Sequence, residues 1–293
     1  MDVIFAAAGQ QPLLPQDVWA AWNWDPLLLV GSLLAAALYG RGVYRLWQRA
    51  GAGRALSYGH VTAFAAGLFV LAAALVSPLD AMSGALLSAH MVQHLLLMLV
   101  AAPLLVFGAP PVALGWMLPR SRDVARWWRR RSRLRRLWHT LSRPALVWGA
   151  YLLILWSWHL PGLYQAALAD ESVHILEHGS FVGIALLYWW VLWHDDSLGR
   201  AGSALYVFST MLLSGLLGVL LTFGQQVWYP AYGILPYGWG LSPLQDQQLA
   251  GVIMWFPGNL IYLAATLYLL SSALHRHGQD EGRARVIVAP RQN

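Results

Sequence analysis

The chain contains about seven long apolar stretches separated by polar breaks, and this pattern constrains its fold more than any other feature. A helix needs roughly 20 mostly apolar residues to cross a bilayer. Hydrophobic residues make up 58 % of the 293 residues and charged residues only 11 %, which argues against a soluble globular enzyme. The sequence therefore predicts an all-α, polytopic membrane bundle of about seven transmembrane helices. The predicted spans are about 25–46, 58–77, 84–108, 144–161, 172–193, 203–224 and 248–272.

The arginines indicate which ends of these spans lie in the cytoplasm. They lie between the first two spans, in the 109–143 connection, at Arg200 and after the last span. Because short loops rich in arginine stay in the cytoplasm, we expect the N-terminus outside and the C-terminus inside. The predicted organisation is an outer segment 1–24, a membrane domain 25–274 and a cytoplasmic tail 275–293.

The segment 120–143 combines dense arginines with tryptophans, a composition that is also found on nucleic-acid-binding surfaces. Its apolar residues recur at helical spacing, however, which favours an amphipathic helix lying on the anionic inner leaflet. We therefore expect this segment to bind the lipid surface and expect no nucleic-acid partner. The apolar residues of this stripe are Val124, Trp127, Leu134, Trp138 and Leu141.

Five histidines are expected in the outer half of the membrane, where ionisable side chains are costly and mark functional sites. The chain has no cysteine, so any metal must be held by histidine, methionine, carboxylate or backbone groups. Four of these histidines form two pairs with a spacing of four residues, which places both rings of a pair on one face of a helix. The sequence therefore predicts a metal or cofactor site formed by His90, His94, His159, His174 and His178.

Both pairs share the pattern His-x-x-[Gln/Glu]-His, at His90–His94 and at His174–His178. Met91 and Met98 share a stripe with His94, and Glu177 is placed to orient an imidazole or to neutralise a cation. Imidazole and thioether donors without a thiolate favour copper, whereas zinc would accept the histidines without using the methionines.

Two other classes of function fit parts of this pattern. His174-x-x-Glu177-His178 matches the inverted zinc-peptidase motif, in which the glutamate is the general base. The first pair has Gln93 where such a base would stand, which weighs against an intramembrane peptidase. A haem- or quinone-binding redox protein is the other alternative, with one axial histidine from the third span and one from the fifth.

The order and spacing of several short motifs resemble the CtaG-type cytochrome c oxidase assembly proteins, which are integral membrane factors associated with copper delivery. The resemblance runs from about Trp24 to Ser272. The motifs are Trp24-Asp25-Pro26, Ser77-Pro78-Leu79-Asp80, His90 to His94 followed by Pro103 and Gly108-Ala109-Pro110, Trp158-His159-Leu160-Pro161, His174 to His178, and Asp246-Gln247-Gln248 leading to Gly251, Met254, Trp255 and Pro257.

The resemblance implies seven spans, a bacterial inner-membrane location and a role in building the copper centre of the oxidase, without implying catalysis. It also brings Asp246 and Met254 into the expected metal site. The implied partners are the catalytic subunit of the oxidase and a soluble copper donor. We expect copper to pass laterally to the recipient, whose histidine enters the coordination sphere as a ligand of this protein leaves.

Overall fold

The computed structural model describes residues 13–117 and 131–288, with side chains described as far as residue 275. These parts of the chain form helices and connecting segments and contain no strand. The helices are α1 (Pro26–Ala50), α2 (Tyr58–Val76), α3 (Pro78–Ser83), α4 (Leu87–Leu95), α5 (Ala102–Phe107), α6 (Pro110–Met117), α7 (Ser132–Leu141), α8 (Pro144–Trp158), α9 (Pro161–Ala169), α10 (Glu171–His194), α11 (Gly199–Phe223) and α12 (Pro243–Val288).

Within the described residues, six helical segments are long and apolar enough to cross a membrane, and the bent pair of α8 and α9 makes a seventh if the two are counted as one span. The all-α polytopic bundle predicted from the sequence is therefore confirmed. The helix starts follow from local chemistry. Asp25 accepts hydrogen bonds from the amides of Leu27 and Leu28 at the start of α1, and Asp170 accepts from Ser172 and Val173 at the start of α10.

The fourth span, predicted over about 144–161, is broken near its end in the structure. α8 ends at Trp158, and α9 leaves the break at an angle of 71°. Pro161 explains the break, because a proline lacks an amide donor and disfavours helical geometry in the residue before it. Leu160 accordingly has an extended backbone, with φ −67° and ψ 131°. His159 lies at this bend.

The third span, predicted as one helix over 84–108, begins as α4 at Leu87 and changes to a π-helical turn over Leu96–Ala101 before α5. Pro103 lies in the first turn of α5, where it cannot donate to a carbonyl one turn back. The Nε1–H of Trp189 on α10 donates to the carbonyl of Met98 at 2.9 Å, which satisfies one backbone acceptor of the π turn. Such turns in α-helices are often found at functional sites.

The segment containing α4, the π turn and α5 is the most buried of the candidate spans, whereas α1 and α2 lie at the periphery. α11 and α12 pack closely because Gly251 faces Gly218 and Thr222, where a Cβ atom would lie 2.6 Å from the Gly218 carbonyl oxygen. Buried side chains of α4, α8, α10, α11 and α12 form one core, and those of α1, α2, α5 and α6 form a second.

One end of the bundle carries both the N-terminal segment and residues 225–242. The indole of Trp239 donates to the carbonyl of Leu13, and the amide of Asn23 donates to the carbonyl of Val76. Short 3-10 turns at Pro230–Tyr232 and Leu235–Trp239 fold the 225–242 segment over the helix ends. We call this the N-terminal end of the bundle.

The amphipathic helix predicted for 120–143 lies partly outside the described residues, which omit 118–130. Its second half forms α7, whose side chains are all exposed. At the C-terminus, α12 continues to Val288, so the last helix is longer than the predicted span that ends at 272. Residues 1–12 of the predicted outer segment and 289–293 of the tail also lie outside the described residues.

Candidate metal site

The two histidine pairs face each other at the N-terminal end of the bundle. α4 presents His90 and His94, and α10 presents His174 and His178, because a spacing of four residues leaves each pair on one face of its helix. The ring centroids of His90 and His178 lie 5.5 Å apart, those of His94 and His178 lie 5.2 Å apart, and those of His90 and His174 lie 5.5 Å apart.

Glu177 lies between the pairs and is fully buried. Its Oε2 is 3.7 Å from Nε2 of His90, and its Oε1 is 3.8 Å from Nε2 of His94. Neither carboxylate oxygen has a hydrogen-bond partner. A carboxylate buried without hydrogen bonds is costly unless it is protonated or paired with a cation.

The donor atoms are close enough for one ion. One ligand atom from each of four residues can be chosen so that all four lie within 4.8 Å of one another, and the residues are His90, His174, Glu177 and His178. Two imidazole nitrogens on one tetrahedral ion lie roughly 3.4 Å apart at the usual bond length. The side chains therefore need to close in by about 1 Å to bind an ion. Nε2 of His174 and Nε2 of His178 have no hydrogen-bond partner, so they are free to do so.

His94 lies beside this group of four residues. Its Nε2 is 2.8 Å from Nε2 of His90, so one ring donates a hydrogen bond to the other. His90 and His94 are both buried, and the Nδ1 atom of each lacks a partner. His174 is the least buried of these histidines and lies beside the exposed Ile175 and Leu176.

Asp246 lies at the start of α4 instead of among the imidazoles. Its carboxylate accepts hydrogen bonds from the amides of Leu87 and Ser88 at 2.7 and 3.2 Å and from the Ser88 hydroxyl at 2.5 Å. Leu86, the residue before α4, has no side chain that could cap the helix. Asp246 of α12 therefore supplies that cap from a distant part of the chain.

Gln93, between the two histidines of α4, fixes the rotation of this helix. Its amide nitrogen donates to Oδ1 of Asp80 and to the carbonyl of Ala74, both at 2.8 Å. Asn23 donates to the other oxygen of Asp80, also at 2.8 Å. These bonds link the Ser77-Pro78-Leu79-Asp80 motif to α4 and hold His90 and His94 on its inner face. We call His90, His94, His174, Glu177 and His178 the histidine cluster.

The remaining predicted site residues line an adjoining small cavity. Met91, Met98 and Met254 are buried there together with His94 and His159. Met91 and Met98 come from the third span, Met254 comes from α12, and His159 comes from the bend between α8 and α9. The structure thus brings the methionines close to the histidine cluster but on the side of it that faces the middle of the bundle.

Sequence reasoning missed a group of tyrosines that encloses the cluster. The Tyr164 ring lies 5.3 Å from that of His90, and its hydroxyl lies 2.7 Å from the hydroxyl of Tyr232. Tyr232 donates to the carbonyl of Ser83, and Tyr229 donates to the carbonyl of His159. Tyr229 and Tyr232 are on the connection before α12, and only their apolar surroundings in the sequence hinted at burial.

Comparisons with known proteins identify a family and two relatives of this chain. The family model described as cytochrome c oxidase caa3 assembly factor matches residues 37–276. Uncharacterized proteins of Mycobacterium bovis and of Mycobacterium tuberculosis are each 24 % identical to the chain over 263 residues, which is 87 % of this chain and 39 % of each relative. The chain thus spans about two fifths of the length of these relatives.

No solved structure matches the chain. The family match covers the whole histidine cluster and most of the candidate membrane spans, from within α1 to within α12. On that match, the chain belongs to the family of cytochrome c oxidase caa3 assembly factors.

Proposed function

We propose that this protein binds copper at the cluster of His90, His94, His174, Glu177 and His178 and delivers it to the catalytic subunit of cytochrome c oxidase. The observation that carries the proposal is the fully buried Glu177 carboxylate, which has no hydrogen bond and lies in a cluster where Nδ1 of His90 and His94 and Nε2 of His174 and His178 also lack partners. Native proteins rarely bury so many unsatisfied polar atoms together unless an ion or water completes the group.

The charges of the cluster suit a copper ion. Neutral imidazoles supply donor nitrogens without charge, and Glu177 supplies one negative charge inside an apolar bundle. A bound monovalent copper ion would be neutralised, and a divalent one would leave a single net charge. A site with imidazole ligands and no thiolate also permits ligand exchange, because it binds copper less tightly than a site made of cysteine thiolates.

The difference in burial between the histidines of the cluster suits release of copper to the oxidase from one side. His90 is fully buried, whereas His174 is half-buried and lies beside apolar residues of α10 that face outward. A histidine of the recipient subunit would approach from that side and would bind the ion as His174 leaves. No free ion is released in such an exchange.

The same geometry weighs against the two alternatives. A zinc peptidase needs an open position where the glutamate activates water, but Glu177 has no exposed surface and its oxygens lie against His90 and His94. A haem between the two pairs would need space for a macrocycle, and the facing rings are only 5.2 to 5.5 Å apart. We therefore propose a role without catalysis.

We further propose that the N-terminal end of the bundle faces outward from the bacterial inner membrane. The domain organisation then follows the prediction, with outer segment 1–24, membrane domain 25–274 and inner tail 275–293. α7, with Arg133 and Arg136, lies at the opposite end and rests on the anionic inner leaflet. A soluble copper donor would load the cluster from the outer side.

Metal analysis of the purified protein tests the copper proposal. We expect copper in the wild type, no strong haem absorption band, and a copper affinity reduced roughly 10- to 100-fold in Glu177→Gln, because the amide cannot neutralise the ion. His139→Ala, on the exposed α7, is the matched control and should leave copper unchanged. Zinc retained in Glu177→Gln together with lost proteolytic activity would instead identify a peptidase.

Reporter fusions test the orientation. A reporter after residue 117 or at the C-terminus should be active in the cytoplasm, and one within 225–242 should be active outside. A cytoplasmic reporter signal from 225–242 would place the cluster at the inner face and would contradict the proposed route of loading.

A further inference from the structure

A small cavity lies next to the histidine cluster, between α4, the π turn, α8, α11 and α12. Its volume is about 40 Å³, enough for a single water molecule or a single metal ion. Its wall carries the thioethers of Met91, Met98 and Met254 and the imidazoles of His94 and His159, together with the hydroxyl-bearing residues Tyr151, Ser214 and Tyr262. The carboxylate Glu177 and the histidines of α10 are not in that wall. The cavity therefore offers a donor set that differs from that of the cluster.

His159 is prepared to bind a ligand in this cavity. Its Nδ1 lies 2.7 Å from the carbonyl oxygen of Leu155, which can only accept, so the proton is on Nδ1 and the lone pair is on Nε2. Nε2 is buried and has no hydrogen-bond partner, and the residue is only 3 % exposed. A backbone bond that fixes the tautomer in this way is typical of metal-binding histidines.

The methionines alone would be explained by packing, since thioether side chains fill irregular gaps in apolar cores. Two features argue for more than packing here. Met91 and Met98 lie seven residues, or about two helical turns, apart, so both face the same cavity from the third span, and Met254 faces it from α12. The lone pair of His159 meets no donor in the same space.

We propose that this cavity is a second metal site that binds a soft monovalent cation of the Cu(I) class through Nε2 of His159 and the thioethers of Met91, Met98 and Met254. The identification of the cation as copper rests on the proposed function. The set of ligand residues in the cavity wall is observed independently of that function. Thioether and neutral imidazole favour Cu(I), and no carboxylate is present to favour a divalent ion.

His94 connects the two sites. Its ring lines the cavity, and its Nε2 is 2.8 Å from Nε2 of His90 in the cluster. The ring centroids of His94 and His159 are 6.4 Å apart. An ion can therefore pass from the nitrogen and oxygen ligands of the cluster to the thioethers with His94 bound to it at the changeover. The cluster would hold Cu(I) near the outer face and the cavity would hold it deeper in the bundle, so the transfer is a ligand exchange without a change of oxidation state.

Binding of Ag⁺ and Zn²⁺ to the full-length protein in detergent separates the two sites, because Ag⁺ is a soft monovalent probe without redox chemistry and Zn²⁺ prefers nitrogen and oxygen donors. The double variant Met98→Leu/Met254→Leu, which roughly conserves volume, should weaken Ag⁺ binding roughly 10- to 100-fold and leave Zn²⁺ binding unchanged. His178→Ala should weaken Zn²⁺ and leave Ag⁺ bound. Silver X-ray absorption of the wild type should show sulfur neighbours.

Met211→Leu is the matched control, because Met211 is half-buried on α11 outside the cavity. It should change neither metal. Unchanged Ag⁺ binding in Met98→Leu/Met254→Leu, or a silver spectrum without sulfur, would overturn the second site and leave the proposed cluster intact. Sulfur-bound Ag⁺ in a protein that binds neither Zn²⁺ nor copper at the cluster would support the second site and contradict the proposed function.

Discussion

The two hydrophobic cores of the molecule differ in whether their buried polar side-chain atoms have hydrogen-bond partners. In the peripheral core, the Tyr39 hydroxyl donates to the carbonyl of Gly108 at 2.8 Å, and the Trp47 indole donates to that of Leu56 at 2.9 Å. Among the described residues before His90, no buried side-chain nitrogen or oxygen lacks a partner. In the central core, the buried histidines and Glu177 leave seven such atoms without one.

Under the proposed function, this contrast distinguishes side chains that hold the helices together from side chains that are available to bind a metal ion. A buried polar atom without a partner costs roughly 1 to 3 kcal/mol, so the central core is less stable than its packing alone would make it. The peripheral core carries no such cost. Variants in the two cores should therefore fail in different assays, one in metal binding and the other in thermal stability.

The largest effect is expected in the central core. His94→Ala and His178→Ala should each lower the copper affinity of the cluster roughly 10- to 100-fold and abolish oxidase maturation, while the protein still inserts and accumulates. The double variant should be little worse than either single one, because residues that act on one ion are not additive. Copper content and oxidase activity in membranes measure both effects. Full copper occupancy in both single variants would contradict a shared ion.

An Asp246 variant should affect both stability and copper binding. Asp246 caps α4, and it also belongs to the metal site expected from the family resemblance. Asp246→Ala should destabilise the protein by about 1 to 3 kcal/mol, since it leaves the buried amides of Leu87 and Ser88 unsatisfied. Copper affinity should fall less than in His178→Ala. Asp246→Asn, which keeps an acceptor, should restore most of the stability and most of the copper. Loss of copper in Asp246→Asn at unchanged thermal stability would instead identify a direct ligand.

Tyr39→Phe should affect only the peripheral core. It removes the hydrogen bond to the Gly108 carbonyl and should lower stability by about 0.5 to 1.5 kcal/mol, with copper affinity unchanged. Thermal unfolding in detergent and copper titration of the same preparation check both parts. A change in copper affinity would show that the two cores are coupled.

The smallest effect is expected at α7. Arg133→Gln or Arg136→Gln should each weaken the binding of a 120–143 peptide to anionic vesicles by about 1 kcal/mol, with little effect on neutral vesicles. The helicity gained on anionic vesicles, measured by circular dichroism, should likewise be lower for each variant peptide than for the wild-type peptide. Equal binding to both kinds of vesicle would contradict the interfacial helix.

The sequence predicted what depends on local pattern. Apolar length predicts the spans because the bilayer sets the length of a crossing helix, and the spacing of four predicts which imidazoles share a face. The bend at His159 and the π turn before Pro103 depend on how prolines are accommodated inside packed helices. Pro161 and Pro103 mark both positions in the sequence, but they do not give the angle of 71° or the kind of turn.

Long-range contacts could not be read from the sequence. The role of Asp246 as a cap for α4 and the contacts of Tyr232 with Tyr164 and Ser83 join segments that are 68 to 159 residues apart. Each of these side chains has ordinary local surroundings, so periodicity and motif spacing assign it no partner. That the two histidine pairs bind one shared ion stays a prediction.

The cap on α4 can form only late in the synthesis of the chain, because its acceptor Asp246 is translated long after the helix. Leu87 and its acceptor Asp246 are separated by 159 residues, which a ribosome takes roughly 8 to 32 s to translate at 5 to 20 residues per second. During that interval the helix that bears His90 and His94 has been synthesised without its acceptor. The first turn of α4 is therefore completed only when the last membrane helix arrives, so biosynthesis delays the finished site until the whole bundle has been made.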